Sequence, residues 1–143
     1  MAQVEWAFLC DYAFKAQGGK MCLIGIFHSI FAHGVPVTHP QAALALRING
    51  AAGEKVPIKI SINRPTGTSL ARVTGEMNIG HPPPDVDVSS LMPGGEIHFN
   101  MANMLLPDYG TYSIDIYLGD EPEPARTVPF TVNRPPKPAA GAH

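Results

Sequence analysis

The chain has 143 residues, of which 45% are apolar and only 15% charged, and its net charge is −2. This length suits one domain that buries an adequate core without disulfides or a metal. Its Lys and Arg residues form no basic run that would neutralise phosphates, so we expect no nucleic acid partner.

The amino-terminal segment 1–11 reads as a strand. It lacks the positively charged start of a secretion signal and carries Glu5 and Asp11. The longest apolar stretch, 21–32, is shorter than the ~20 residues that span a bilayer. We therefore expect a cytoplasmic protein that has no membrane partner.

Two alternating or apolar segments predict an opening β-hairpin. In the first segment every second residue is one of a set that faces the core, namely Val4, Trp6, Phe8 and Cys10. This alternation places Cys10 on the core face. A Gly-containing turn at 17–20 leads into 21–27, a continuous apolar run typical of a strand that is covered on both faces.

The two cysteines of the chain, Cys10 and Cys22, fall on this hairpin. Without a secretion signal we expect two reduced, buried thiols, and the alternative is a disulfide across the hairpin. Cys10 has no nearby positive group that would lower its pKa, which favours a structural role.

The middle of the chain continues as strands separated by loops. Alternating apolar residues predict four strands, at 43–48, 56–62, 70–79 and 97–101. The residues before the first of these, including Pro36, His39 and Pro40, are predicted to form a loop. Gly75 indicates a bulge or a close backbone approach.

A second loop is predicted at 80–95, where prolines and glycines are frequent. Val86 and Val88 are the residues within it that would form a short edge strand. Pro57 lacks a backbone N–H and is expected at a strand start or a sheet edge.

The carboxyl-terminal half contains the most specific signal. Asp108, Gly110 and Tyr112 precede the alternating run 113–118, a spacing that resembles the tyrosine corner of immunoglobulin-like sandwiches. We assign these three residues a structural role, with the Asp108 side chain expected to bond backbone. A last strand is predicted at 126–132.

About eight short strands with no helical period predict an all-β fold. We favour an antiparallel immunoglobulin-like β-sandwich, and the alternative is a small β-barrel. Residue Ile114 stands where antibody domains have a cysteine, and Trp6 lies in the first strand, so the antibody pattern is absent. We expect one domain at 1–132 and a Pro- and Ala-rich tail at 133–143.

No motif predicts catalysis or a cofactor. The histidines show no compact ligand spacing, and a nucleophile elbow and a phosphate-binding loop are absent. The weak metal alternative combines His81, Asp85, Asp87 and His98. We expect no catalytic, cofactor-binding or metal-binding residue.

Aromatic residues near strand ends or on outward positions are the candidate contact residues. They are Phe14, Phe31, Tyr109 and Tyr117. A protein partner or a sugar ring would stack on such side chains.

Six short segments along the chain form a recognisable set: Cys10-Asp11-Tyr12-Ala13, Gly18-Gly19-Lys20, Ile24-Gly25, Ala43-Leu44-Ala45-Leu46-Arg47, Gly110-Thr111-Tyr112 and Val128-Pro129-Phe130-Thr131-Val132. Together they resemble a bacterial domain-of-unknown-function family. The resemblance covers most of the chain up to Val132 and implies a small cytoplasmic β-sandwich protein. It implies no particular activity.

These observations favour a non-enzymatic interaction or structural module that binds another protein or copies of itself. The first alternative is a module that binds a small ligand or carbohydrate through Tyr109, Tyr117 and the end loops. A metal-dependent enzyme is the third hypothesis.

Overall fold

The computed structural model describes residues 2–82, 84–85 and 92–137, and in this part of the chain nine strands and no helix occur. The strands are β1 (Gln3–Lys15), β2 (Met21–Ile26), β3 (Ser29–Phe31), β4 (Val37–Asn49), β5 (Lys55–Asn63), β6 (Ser69–Asn78), β7 (Gly94–Leu106), β8 (Gly110–Leu118) and β9 (Arg126–Asn133). Accordingly, the described residues include no apolar helix of the length that crosses a bilayer.

The strands form two sheets. The four-stranded sheet has the order β2-β1-β4-β7, and the five-stranded sheet has the order β3-β9-β8-β5-β6. All pairs are antiparallel except β3 with β9. Each sheet has an edge strand at either side, so the described strands do not form a closed barrel. The predicted β-sandwich is confirmed, and the barrel alternative is wrong.

The core lies between the two sheets and is built from one side of each alternating strand. The strands β4, β5 and β8 contribute most, because each carries a row of Leu or Ile at every second position. Fully buried core side chains include Leu9, Leu44, Leu46, Ile48, Ile58, Ile60, Ile114, Ile116, Tyr112 and Phe130. The period-two pattern of the sequence therefore predicted the core face of these strands correctly.

Strand β4 is longer than its apolar pattern predicts. It starts at Val37 and pairs with β7 along its whole length, from Val37 opposite Leu106 to Asn49 opposite Gly94. The predicted loop through His39 and Pro40 is therefore wrong. The register places Asn103 opposite Pro40, which has no N–H to donate, and Asn103 takes the left-handed conformation with φ 52.

A register shift between Val4 and Trp6 interrupts the alternation in β1. Beyond the shift Leu9 is the residue that enters the core between the sheets. Cys10 is fully buried, but it belongs to a separate cluster, so its predicted place on the core face is wrong. An irregularity of this kind has no signature in the apolar pattern.

Gly75 sits in a regular register opposite Ile58, so the bulge alternative at this glycine is wrong. The close-approach alternative is confirmed, because a Cβ at Gly75 would lie 3.2 Å from the Phe99 ring. The three-residue strand β3 was not predicted. The expected edge piece at Val86 and Val88 lies outside the described residues.

Candidate functional site

The first hairpin is formed by β1 and β2. The two strands pair from Cys10 opposite Ile26 to Lys15 opposite Met21. The amide of Ala16 donates to the carbonyl of Lys20 at 2.7 Å and closes the turn. Gly18 and Gly19 in this turn have φ values of 86° and 79°, which only glycine adopts without strain. The predicted hairpin is confirmed.

The hairpin has two different apolar faces. Directly opposite residues of an antiparallel pair share a face, so Ala13 and Leu23 lie on one face, and Tyr12 and Ile24 on the other. Phe14 follows Tyr12 at the next position of the same face. Ala13 and Leu23 pack into a small apolar cluster of their own together with Cys10, Ala43, Ala45, Trp6 and Met21.

The hairpin exposes five large apolar side chains. Phe8 is 39% exposed, Tyr12 56%, Phe14 45%, Ile24 53% and Ile26 49%. We call these five side chains the hairpin patch. At roughly 200 Å² for a fully exposed large side chain, they present roughly 500 Å² of surface. The register places Tyr12, Phe14 and Ile24 on the face opposite Ala13 and Leu23, whereas Ile26 lies opposite the buried Cys10. Large exposed apolar side chains concentrated on one hairpin make it a candidate interaction site.

Strand β2 is an edge strand whose six residues, Met-Cys-Leu-Ile-Gly-Ile, include no charge and no proline. Charges, prolines or very short strands protect most sheet edges from other chains. The other edges follow this rule, because β6 carries Arg72 and Glu76, β7 carries Glu96, and β3 has three residues.

The prediction that β2 is covered on both faces is wrong for this structure. Ile24 and Ile26 are about half exposed, although the sequence of β2 is that of a buried strand. Gly25 has φ 72, and the Asp11 side chain occupies the space where its Cβ would lie. A residue with φ 72 departs from extended strand geometry, so the regular edge of β2 is interrupted at Gly25.

The outward face of the five-stranded sheet is polar, in contrast to the hairpin patch. Its hydroxyl, amide and carboxylate groups bond one another. Ser61 donates to Asn63 at 2.9 Å, and Asn63 and Thr127 each donate to the Asp115 carboxylate at 2.8 Å. Such a surface suits contact with water, so the two sides of the sandwich differ in character.

Two of the predicted contact residues are exposed apolar side chains. Phe14 belongs to the hairpin patch, and Phe31, in β3, is 58% exposed. Phe8, Tyr12, Ile24 and Ile26 were not predicted as contact residues. The signal that would have found them is the uncharged run of β2, which sequence reasoning assigned to the protein interior.

The other two predicted contact residues are engaged within the chain. The Tyr109 hydroxyl donates to the carbonyl of Ala32 at 2.9 Å, and the Arg134 guanidinium lies 4.9 Å from its ring centroid. Tyr117 faces away from the core as predicted, with the Lys59 ammonium 4.7 Å from its ring centroid. Neither ring is a free stacking surface like those of the hairpin patch.

Tyr112 connects the start of β8 to the loop before it. Its hydroxyl donates to the carbonyl of Asp108 and accepts from the Asp108 amide, each at 2.9 Å. Burial raises the pKa of Tyr112, so the hydroxyl remains a proton donor. Gly110, between them, has φ 125, and a Cβ there would lie 3.0 Å from Pro65.

The Asp108 side chain differs from expectation, because it pairs with Arg64 instead of backbone. Arg64 donates through Nε at 2.8 Å and through Nη2 at 3.2 Å. These hydrogen bonds lower the pKa of Asp108 below its ordinary value of 3.8. The pair ties the loop after β5 to the loop before β8.

The Asp108→Asn variant is expected to melt at a lower temperature than the wild type at pH 7. The lowered pKa of Asp108 favours its ionised form in the folded chain, so this stabilisation is present above pH 3.8 and is lost as pH falls through the folded pKa. The difference in Tm should therefore shrink below pH 3.8. Thermal melts across pH test this, with the exposed Asp120→Asn as control; a constant difference would contradict it.

The residues of the metal alternative that the structure describes are not brought together. The described residues hold no group of three His, Cys, Asp or Glu side chains placed to hold a metal ion. Asp87 lies outside them. His81 packs against Gly53, whereas His98 lies in β7 opposite Ala45.

Two open clefts of about 370 and 300 Å³ lie among the described residues. The larger is lined by four carboxylates, Glu54, Asp120, Glu121 and Glu123, with Lys55 as its basic residue. Neither cleft is lined by a Phe, Trp or Tyr in the described part of the chain. They therefore lack the stacking surface by which carbohydrates are commonly bound.

Both cysteines are free thiols. They are not opposite each other in the hairpin, since Cys10 faces Ile26 and Cys22 faces Phe14. Burial raises the pKa of the Cys10 thiol, which makes it unreactive. Cys22 is only partly buried, so it is the accessible thiol of the patch face.

Comparison with known families gives a match to a family of unknown function, DUF6941, over residues 5–133. The chain belongs to DUF6941. The matched segment includes all nine strands except the first residues of β1. The expected membership of a domain-of-unknown-function family is thus confirmed, while the bacterial origin and the hairpin motif remain predictions. A comparison with curated proteins found no match.

Proposed function

We propose that this DUF6941 chain is a non-enzymatic protein-interaction module and that the hairpin patch is its contact surface. One observation carries the proposal: the hairpin of β1 and β2 leaves five large apolar side chains exposed to water, while the charged residues of the two strands are Glu5, Asp11 and Lys15. Leaving roughly 500 Å² of such surface in water is unfavourable by ~25 cal/mol per Å², and a protein partner would recover part of this free energy.

Aromatic composition supports a protein partner. Tyr and Phe are enriched at the centres of protein interfaces, where charged residues are depleted. Tyr12, Phe8 and Phe14 supply this composition, and Ile24 and Ile26 add aliphatic contacts. A polar ligand would find few hydrogen-bonding groups on such a surface.

We also infer that the sandwich is immunoglobulin-like and that Asp108, Gly110 and Tyr112 form its tyrosine corner. The two hydrogen bonds between the Tyr112 hydroxyl and Asp108 backbone support this interpretation. The corner has a structural role, which leaves the hairpin as the candidate for binding. The free thiols support a cytoplasmic setting.

Photo-crosslinking tests the proposed function. A photoreactive phenylalanine analogue in place of Phe14 reports on the hairpin patch, and the same analogue in place of Phe31 is the matched control, because both rings are exposed. In an extract of the source organism we expect Phe14 to yield a defined protein adduct in several-fold excess over Phe31. Equal yields at the two positions would contradict the proposal.

The two alternatives have less support. A small-ligand or carbohydrate module would need a ring surface in a cleft, and the two clefts offer charged side chains and the imidazole of His81 instead. A metal-dependent enzyme would need ligands that the described residues do not bring together. Thermal-shift screening with sugars and divalent cations separates these alternatives from the interaction module, which should show no stabilisation.

A further inference from the structure

We propose that the tail beyond β9, residues 134–143, folds back onto the first hairpin and covers Tyr12, Phe14 and Ile24 while no partner is bound. The docking concerns this chain alone. Its consequence, that the tail controls access to the hairpin patch, rests on the proposed function, because a partner would have to displace the tail.

The side chains of the hairpin patch are divided between the two faces of their sheet. The small apolar cluster that includes Ala13 and Ala45 is separate from the core, so it lies on the outer face of the sheet. Phe8 is directly opposite Ala45 and shares this outer face. The residues that alternate with Ala13 and its partner Leu23 point to the inner side, on which the five-stranded sheet lies. They are Tyr12, Phe14 and Ile24.

Strand β9 of the five-stranded sheet faces β1 and runs in the same direction. Arg126, at the start of β9, donates to the carbonyl of Val4 at 3.2 Å. Further along, Thr131 is linked to Leu9 through the connection at 27–28, which accepts from the Thr131 amide and donates to the Leu9 carbonyl. The two contacts are five residues apart on both strands, so β9 advances alongside β1.

The tail therefore leaves the sandwich at the end from which the hairpin projects. The pairing of β1 with β4 ends at Cys10, and β9 ends close by, at Asn133. Arg134 holds the base of the tail at this end, with its guanidinium 4.9 Å from the ring centroid of Tyr109. The described part of the chain, which ends at Lys137, leaves the inner face of the hairpin exposed. The tail is the segment that starts beside this face.

The tail is long enough to cover the inner face of the hairpin. Its ten residues would span about 31 Å as a polyproline II helix. The part of β1 beyond Cys10 has five residues, which span about 17 Å. The tail can therefore leave its base at Arg134 and still run along the whole hairpin.

The composition of the tail suits an aromatic surface. It contains three prolines and three alanines and no acidic residue. Proline-rich segments dock on aromatic side chains, and they lose little conformational entropy because the extended helix is already formed. Pro135 and Pro138 are three residues apart, so their rings would lie on the same side of such a helix. Tyr12 and Phe14 supply the matching aromatic rings.

Photo-crosslinking of the purified full chain tests the docking. With a photoreactive phenylalanine analogue in place of Phe14, peptide mapping by mass spectrometry should show this position joined to the tail of the same chain. The yield should stay constant between about 1 and 50 µM protein, because docking within one chain does not depend on protein concentration. Phe8 is the matched control, since it is 39% exposed against 45% for Phe14 and lies in the same strand on the outer face.

A tail of equal length without proline rings separates docking from mere proximity. Combining Pro135→Ser, Pro136→Ser and Pro138→Ser should lower the yield of the Phe14 adduct several-fold. Four outcomes would overturn the docking: no tail adduct, equal yields from Phe14 and Phe8, a yield that the serine tail leaves unchanged, or a yield that rises with protein concentration.

The control of access is tested in an extract of the source organism with a chain that ends at Arg134. Removing the rest of the tail should raise the yield of the Phe14 adduct with another protein several-fold over the full chain, and an unchanged or lower yield would overturn this control. A tail adduct in the purified chain without any partner adduct in the extract would retain the docking and reject the proposed function. A partner adduct without a tail adduct would reject the docking and retain the interaction module.

Discussion

Replacing Phe130 by alanine is expected to lower the free energy of unfolding by about 3–5 kcal/mol. Phe130 is 1% exposed and its ring stacks on Tyr112, with the ring centroids 5.1 Å apart. The substitution removes a large apolar side chain from the core face of β9 and leaves a cavity that the packed neighbours only partly fill. Urea unfolding followed by Trp6 fluorescence, at one fixed protein concentration, measures the change.

Phe31→Ala is the matched control for this variant. It makes the same chemical change at a side chain that is 58% exposed, so the expected cost is below about 0.5 kcal/mol. Similar costs for the two variants would show that Phe31 is buried in solution or that Phe130 is not a core residue, and either result would contradict the described packing.

Replacing Tyr112 by phenylalanine is expected to lower the free energy of unfolding by about 1–3 kcal/mol. The ring and its stacking on Phe130 are kept, and only the hydroxyl is removed. Without it, the amide and the carbonyl of Asp108 lose the partner that each has at 2.9 Å. The loss is large for one oxygen atom because that atom serves both backbone groups.

Tyr117→Phe is the control for the hydroxyl. Tyr117 lies in the same strand and faces away from the core, and the ring beneath the Lys59 ammonium is retained. We expect a change within about 0.5 kcal/mol. If both variants cost the same, the hydrogen bonds of Tyr112 contribute nothing specific to stability, and its role as a structural corner would have to be abandoned.

These variants and the hairpin experiments address separate parts of the molecule. Phe130 and Tyr112 stabilise the sandwich itself, whereas Phe14 is exposed, so its replacement in the crosslinking experiment should leave the chain folded.

The parts of the fold that alternate regularly were predictable. In β5 and β8 every second residue is a large apolar residue, most often Ile, and those residues are buried as predicted. Strand β4 was only partly predictable. The segment with His39 and Pro40 was predicted to be a loop, but in the structure it is part of the strand that pairs with β7. Hydrogen bonding between strands, which local composition does not encode, overrode the turn signal.

The candidate site was harder to predict than the fold. Phe14 was identified as a contact residue, but Tyr12, Ile24 and Ile26 were assigned to no surface, since an apolar residue is ordinarily a core residue. Exposure depends on which strands become edges, and strand order is a property of the whole chain. Likewise, the register shift after Val4 moved Cys10 out of the core between the sheets.

By itself the sequence determined that this chain folds as strands, that its core consists of alternating Leu and Ile, that a hairpin opens it and that Tyr112 follows a structural loop. These are local properties, set by side-chain period and by turn residues such as Gly18 and Gly19. Only the tertiary structure decided that β2 is an edge strand. The apolar run of β2 is typical of a strand that is buried on both faces. In the folded chain β2 lies at a sheet edge, where Ile24 and Ile26 are exposed.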